Sequence, residues 1–300
     1  MKITSFKSQQ GEQALGIVRG DRVIDLNFYW PTLSRRVGLD APEDPASLVQ
    51  MLKLGWLRPE IASTIDRTLD EIELGAAHAR FHDLHLMPVI DTESQVYCVA
   101  RNFARHAVER GVETPDQPVL FMKPRTSVIA HTEPIRLRED IGQVDHEAEV
   151  AAVIGITLTR ATEEQANAGI CGYTCLNDIT ARTMQKGFQA KSWPWLLAKG
   201  MDSFCPVGPW VVTADEFGDY KNQRVVCRVN GAIRQQGSLS EMVFSPGQVV
   251  SFLSHYVSLY PGDFVALGTP EGIGPIIPGD TVEVEVSGIG ILRNPVEGTA

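Results

Sequence analysis

The sequence is poor in the features that mark several large classes of protein. No apolar run approaches the ~18 residues of a membrane-spanning helix, and residues 1–7 are not followed by the apolar stretch of a secretion signal. No membrane partner is expected, and the cytoplasm is the expected location. Positive charge is scarce too: 27 Lys and Arg stand against 37 Asp and Glu, a net charge of −10, with no basic cluster. That balance argues against nucleic acid as a partner, because phosphate backbones are met by a basic face. The five cysteines, Cys98, Cys171, Cys175, Cys205 and Cys227, are odd in number and lack Cys-x-x-Cys spacing. They read as small buried hydrophobes rather than a disulfide framework or a thiolate site. Internal repeats, low-complexity segments and the Gly-x-x-x-x-Gly-Lys-Ser/Thr pattern of a nucleotide loop are absent as well.

What remains is a globular composition, 43% hydrophobic and 21% charged over 300 residues, enough for one large domain and a small one. Residues 1–90 read as a small N-terminal α+β domain. Two β-rich runs around Gly20-Asp21 predict a hairpin over residues 16–26, and amphipathic helices are predicted over residues 46–54 and 61–74. His78, His82 and His85 lie close together without a carboxylate or cysteine at ligand spacing, so they read as a solvated stretch. Residues 91–300 read as the main domain, and the candidate chemistry collects there.

Its most informative stretch is Asp145-His146-Glu147-Ala148-Glu149, leading into the apolar run that ends at Ile154. On an extended chain Glu147 and Glu149 project from one face, one pleat apart. Two like charges on a half-apolar strand resist burial unless a cation lies between them, and a divalent metal meets that need. Otherwise the pair is a solvated strand face. A second apolar run, from Cys171 to Leu176, ends in Asn177-Asp178, which makes Asp178 the candidate third ligand. Glu147, Glu149 and Asp178 form an all-oxygen set suited to Mg²⁺ or Mn²⁺, with Ca²⁺ a further oxygen-seeking option.

Other segments supply possible partners. Residues 102–111 predict a short helix capped by Asn102 and ended by Gly111, on which His106 and Glu109 share a face. A carboxylate beside an imidazole suits a base that activates water, although His-x-x-Glu also suits a plain polar surface. Lys123, in a strand between prolines, is as compatible with structure as with function. Lys199 sits in an apolar neighbourhood, where a lysine either reaches solvent or holds an anion. Ser245-Pro246 begins a helix predicted to run on to Tyr260, and a strand should follow over residues 263–267. The loop Gly268-Thr269-Pro270-Glu271-Gly272-Ile273-Gly274 permits close approach to a ligand. Val282, Val284 and Val286 alternate with polar residues, as in a half-exposed strand.

Taken in order, these motifs resemble the fumarylacetoacetate hydrolase family over roughly residues 96–297. They are Arg101-Asn102-Phe103 with His106 and Glu109, Lys123-Pro124, Asp145-His146-Glu147-Ala148-Glu149, Asn177-Asp178 with Arg182 and Gln185, Lys199-Gly200-Met201-Asp202, and the glycine loop. The resemblance implies an α+β, mainly β fold: a mixed β-roll or β-sandwich with short flanking helices, normally a homodimer. Carried over by position, metal ligands fall on Glu147, Glu149 and Asp178, and substrate contacts on Arg101, Arg182, Gln185, Lys199 and Thr269. The lid dyad falls on His106 and Glu109. Ala100, Phe103 and Thr183 depart from the commoner glycine, tyrosine and aspartate.

The implied substrate is a small 2-oxo acid. Metal and Lys199 would together stabilise the enolate formed when a C–C bond breaks, as in a metal-dependent hydrolase cleaving an acylpyruvate or β-diketo acid of fumarylpyruvate or maleylpyruvate type. The same electron sink serves an oxaloacetate-type decarboxylase or a 2-hydroxyhepta-2,4-diene-1,7-dioate isomerase/decarboxylase, which leaves those readings open. A domain that merely binds metal or 2-oxo acid would leave Lys199 and the dyad without a purpose.

Overall fold

The computed structural model describes residues 1–8, 10–38, 47–71, 78–90, 93–109 and 113–299. Among them the chain is mainly β, built on sheets of twelve, five and three strands with short helices around them. An interior strand of the large sheet, Ala148–Ile154, pairs antiparallel with Ile170–Asn177 on one side and Phe264–Ala266 on the other. Its alternation explains the unbroken apolar run. Val150, Ala152 and Ile154 enter one core, while Ala151 and Val153 enter a second on the opposite face. A strand covered on both faces has no use for a polar side.

The second core also receives the N-terminal segment. Residues 16–26 include the expected hairpin, as Gln13–Arg19 paired with Arg22–Asp25, and the adjoining strand Lys2–Lys7 pairs with Cys205–Thr213 of the large sheet. The helix Leu48–Lys53 begins at Ser47, whose side chain accepts the Gln50 N–H, and Pro59–Glu71 forms the next. Ala46, at the start of one expected helix, and residues 72–74, at the end of the other, lie outside the described residues. An additional helix, Leu26–Val37, follows the hairpin directly, capped by Asp25 and ended by Gly38 at φ 69°. Pro31 inside it hides the helical signal. This helix brings Trp30 to stack on Trp56, ring centroids 3.8 Å apart.

The five-stranded sheet contains Thr281–Val286, whose inward valines and outward glutamates follow the expected alternation. Glu283 pairs with Arg293 and Glu285 with Arg228. Two helices begin with reciprocal capping boxes, Thr162 with Gln165 and Ser245 with Gln248. The second is shorter than its apolar spacing predicts, Pro246–Ser254 rather than reaching Tyr260. Beyond Ser254 the chain turns so that Leu259 exchanges both backbone hydrogen bonds with Leu158, and Val257 and Tyr260 face outward. Pairing with a distant segment overrides the local period. No helix among the described residues is long and apolar enough to cross a membrane.

The smallest sheet positions the site. Val144–His146 lies between Thr180–Ala181 and Gly274–Pro275, with Asp145 opposite Thr180 and His146 opposite Gly274. Three segments far apart in sequence, the acidic stretch, the chain after Asp178 and the glycine loop, are thereby laid side by side.

Candidate active site

Glu147 occupies a position that one continuous strand would not provide. The chain leaves the small sheet at His146 and enters the large one at Ala148, so Glu147 stands at the crossing rather than one pleat from Glu149 in a single strand. The corner is clipped to its neighbour: the Glu147 N–H donates to Asn177 Oδ1 at 3.0 Å, and the Asp178 N–H donates to the Glu147 carbonyl at 2.8 Å. Both carboxylates and that of Asp178 consequently converge, with one oxygen of each within 4.8 Å of the others. All three residues are at least 96% buried.

Buried carboxylates at this distance need positive charge. Lys199 Nζ donates to Glu147 Oε2 at 2.8 Å and also to Asp178 Oδ2. Arg182 donates through Nε to Asp145 Oδ2 at 2.7 Å, and through its two other nitrogens to Glu147 and Gln185. Lys123, which the sequence left between structure and function, is fully buried with Nζ 2.7 Å from Asp178 Oδ1 and bonded to two backbone carbonyls. Burial opposes the Lys199 ammonium, but the charges of Asp178 and Glu147 outweigh it and raise its pKa above the ordinary value. Glu149 accepts the Gly268 N–H at 2.8 Å and has no ion-pair partner among the described residues. Burial, with the charges of Asp178 and Glu147 adding to it, pushes its carboxyl well above the usual range.

The count is unequal. With all four carboxyls ionised, Asp145, Glu147, Glu149 and Asp178 bring four negative charges against three positive ones from Lys123, Arg182 and Lys199, a deficit of one that falls on Glu149, whose ionisation the site opposes. A divalent cation fits this set: the donors are hard oxygens, the deficit calls for positive charge, and Glu149 lacks a cation of its own. Among the described residues no other group of this kind is found.

Arg101, Glu147, Glu149, Asp178, Arg182, Gln185, Lys199 and Thr269 all line one pocket. Thr269 donates to the Ala148 carbonyl at 2.8 Å. Gly268, at φ 92°, has no room for a side chain, because a Cβ there would lie 2.8 Å from Asn102 Cβ. Asn102 is not the helix cap that the sequence suggested. It is buried and cross-links distant segments, donating to the carbonyls of Leu267 and Phe244 and accepting the Phe244 N–H. The helix itself is Ala104–Glu109. The His106 side chain and Gly111 lie outside the described residues. Glu109 Oε1 accepts the Gly272 N–H at 3.0 Å, and Arg105 pairs with Glu271, so the helix is docked on the glycine loop.

Sequence reasoning missed several participants. Gln235, in a strand that is otherwise largely exposed, is 1% exposed and makes four hydrogen bonds. Its Oε1 accepts from the Ala148 N–H and from His146 Nδ1, and its Nε2 donates to Thr269 Oγ1 and the Pro270 carbonyl. No local pattern marks it. Asp145 was visible in the motif, but its partnership with Arg182 was not. Phe121 and Trp195 form an aromatic wall, edge to face with centroids 6.0 Å apart, and Lys199 Nζ lies 5.0 Å from the Phe121 ring. The cysteines are all free, four buried and Cys171 half-buried. His82 and His85 are exposed, and the His78 side chain lies outside the described residues.

Residues 95–297 match the sequence profile described as fumarylacetoacetate (FAA) hydrolase C-terminal, about two thirds of the chain. The chain belongs to the fumarylacetoacetate hydrolase family. Within this family of enzymes its relatives differ in reaction. A mitochondrial oxaloacetate tautomerase of Xenopus laevis is 32% identical over 99% of this chain and 90% of its own length. Among solved structures, 5-carboxymethyl-2-hydroxymuconate delta-isomerase from Mycobacterium smegmatis superposes with a TM-score of 0.75 at 31% identity, each chain covered in full. Maleylpyruvate hydrolase from Sphingobium sp. SYK-6, in complex with manganese(II) and pyruvate, gives 0.78 at 25% identity, again over the whole of both chains. Two of the departures noted from the fumarylacetoacetate hydrolase pattern lie beside the pocket's supports. Phe103 is packed in the main core, and Thr183 Oγ1 accepts the Gln143 N–H next to Asp145.

Proposed function

We propose that this chain is a divalent-metal-dependent hydrolase that cleaves the C3–C4 bond of an acylpyruvate, yielding pyruvate and a carboxylic acid. The observation that carries the proposal is the Lys199 ammonium in contact with two of three converging carboxylates, inside a pocket whose buried charges sum to minus one with all four carboxyls ionised. A bound Mg²⁺ or Mn²⁺ would supply Lewis acidity toward the 2-oxo acid end of the substrate. Lys199, kept charged by Asp178 and Glu147, stands ready for negative charge on the 2-oxo oxygen as the bond breaks. Arg182, held by Asp145, Glu147 and Gln185, adds a positioned positive charge to the same pocket. Phe121 and Trp195 line the pocket as an aromatic wall. His106 is the base: it takes a proton from the water whose oxygen bonds to C4, and the electron pair of the C3–C4 bond passes to the 2-oxo oxygen. Protonation at C3 completes pyruvate.

A second reading, keto–enol tautomerisation of oxaloacetate, draws support from the 32% identity to the Xenopus laevis enzyme along almost the whole chain. It uses the same charge-stabilising set and needs no attacking water. One preparation distinguishes the two. With Mg²⁺, the wild-type protein should release pyruvate from acylpyruvates, and His106→Ala should slow that release by about 100-fold or more, the usual contribution of a general base. Oxaloacetate enolisation should survive in part. Wild-type protein that releases no pyruvate from any acylpyruvate yet interconverts oxaloacetate tautomers would replace the first reading with the second.

A further inference from the structure

The catalytic pocket is small. Its cavity measures about 60 Å³, room for the 2-oxo acid end of a substrate and little beyond it. A second space of about 400 Å³, within the usual range of small-molecule sites, shares two of its lining residues, Phe121 and Trp195. Both rings are half-buried and border the two spaces. The rest of this groove is lined by Val119, Leu120, Met122, Pro194 and Leu196, without a charged or polar side chain among them. Leu196 is 54% exposed and Met122 42%, and an apolar cleft left open to water marks a surface that something covers. One wall is the strand Val119–Lys123, at the end of the large sheet's strand order among the described residues. The other is the chain between the helices Arg182–Ala190 and Leu196–Lys199. The first of those helices brings Arg182, Gln185 and Gln189 to the catalytic pocket, and the second ends in Lys199. The segment that builds the reacting end therefore also builds the groove.

We propose that this groove takes the acyl substituent of the substrate, which makes the enzyme selective for 2-oxo acids carrying an extended apolar tail, alkyl or aryl. The assignment rests on the 2-oxo acid end lying at the carboxylates, as the hydrolase reading has it, and adds the class of tail. With that end among Glu147, Asp178 and Lys199, a longer acyl chain outgrows the small cavity and passes the Phe121–Trp195 wall into the groove. Each methylene that enters leaves water for an apolar lining. A charged tail would meet no cation there: Lys199 Nζ, 5.0 Å from the Phe121 ring, is committed to Glu147 and Asp178. A second copy of the chain would also cover an apolar cleft, but the two rings shared with the catalytic pocket favour the substrate.

The test measures kcat/KM of the Mg²⁺-loaded protein for acetyl-, butanoyl-, hexanoyl- and adipoylpyruvate. Complete burial of a methylene is worth about fourfold, and in an open groove about half of that free energy, about twofold, should be realised. The four methylenes added between acetyl and hexanoyl should therefore raise kcat/KM about tenfold or more, and adipoylpyruvate, of the same length but ending in a carboxylate, should lose that gain. Leu196→Gln and Met122→Gln together should reduce the hexanoyl-to-acetyl ratio to within about threefold, a ratio in which any general loss of turnover cancels. A flat chain-length series in the wild type overturns the groove assignment and leaves the hydrolase reading standing, with no variant required to fold. A preference that survives both substitutions overturns it too. So does a wild-type dimer, seen by light scattering, that dissociates in Leu196→Gln, since a second copy would then occupy the groove. Wild-type protein that releases pyruvate from none of the four overturns the hydrolase reading instead. Thermal-shift affinities for 2-oxobutanoate and 2-oxooctanoate then decide the groove by themselves: about a tenfold preference for the longer acid supports it, and equal binding overturns it.

Discussion

Replacing Gln235 by leucine tests how far the pocket depends on a side chain that none of its neighbours in sequence betrays. Gln235→Leu keeps the approximate volume and removes all four hydrogen bonds. Three groups lose a buried partner: the Ala148 N–H, His146 Nδ1 and the Pro270 carbonyl. Thr269 Oγ1 retains its bond to the Ala148 carbonyl. Stranded buried polar groups cost about 1–3 kcal/mol each, so with some relaxation the change should destabilise the protein by about 3–6 kcal/mol. At about 2 °C per kcal/mol for a chain of this size, Tm should fall by roughly 6–12 °C. The measurements are thermal and urea denaturation at fixed protein concentration, beside the control Gln236→Leu. Gln236 is the exposed neighbour in the same strand, and its change should stay within about 0.5 kcal/mol. Activity should fall as well, because Gln235 holds Thr269 at the pocket wall. If Gln235→Leu costs less than about 1 kcal/mol, the lower bound for a single stranded group, and leaves kcat/KM unchanged, the network does not support the site and the reasoning fails.

The remaining predictions follow from the charges. Glu149→Gln retains an acceptor for the Gly268 N–H and removes a buried carboxyl whose ionisation the metal-free site opposes, so the metal-free variant should be at least as stable as metal-free wild type. The rise in Tm on adding Mg²⁺ or Mn²⁺ should disappear, and a variant still stabilised by metal as strongly as wild type would remove Glu149 from the ligand set. Lys199→Ala should lower kcat far more than it raises KM, since its contribution grows with charge in the transition state; an effect confined to KM would make it a simple binding group. Stability should depend on pH through His131, whose Nδ1 accepts the Arg293 N–H and whose pKa is lowered by burial, then by Arg293 and His82, from 6.5 to about 4. Between those values the unfolded chain binds the additional proton, so stability should decline as pH falls from 6.5 toward 4. His131→Gln should flatten that part of the profile, which urea midpoints taken at several pH values across that window would reveal; parallel profiles would refute it.

Much of this protein could be read from local pattern. Glu147, Glu149 and Asp178 were legible because carboxylates inside apolar runs conflict with burial, and that conflict is visible in a short window. Ser245 announced its helix because an N-cap and the proline that follows it are adjacent in sequence. Val282, Val284 and Val286 disclosed their face for a similar reason, the two-residue repeat of a strand. Local signals failed where a distant segment competed for the same backbone. Asn102 had the chemistry of a cap, yet Leu267 and Phe244 claimed its side chain. The apolar spacing after Ser254 continued at helical period, yet Leu158 drew Leu259 into a bridge.

By itself the sequence determined which residue types would meet: acids that must be neutralised, bases near enough in character to do it, and apolar strands to carry both inward. Only the tertiary structure decided the assignments. It placed Glu147 at a crossing between two sheets, gave Lys123 to Asp178, gave Arg182 to Asp145 as well as to Glu147, and left Arg101 uncommitted. The physical reason is range. Backbone periodicity and capping are set within a few residues, whereas a buried ion pair such as Lys199 with Glu147 joins atoms 52 positions apart, at distances that exist only once the sheets have closed.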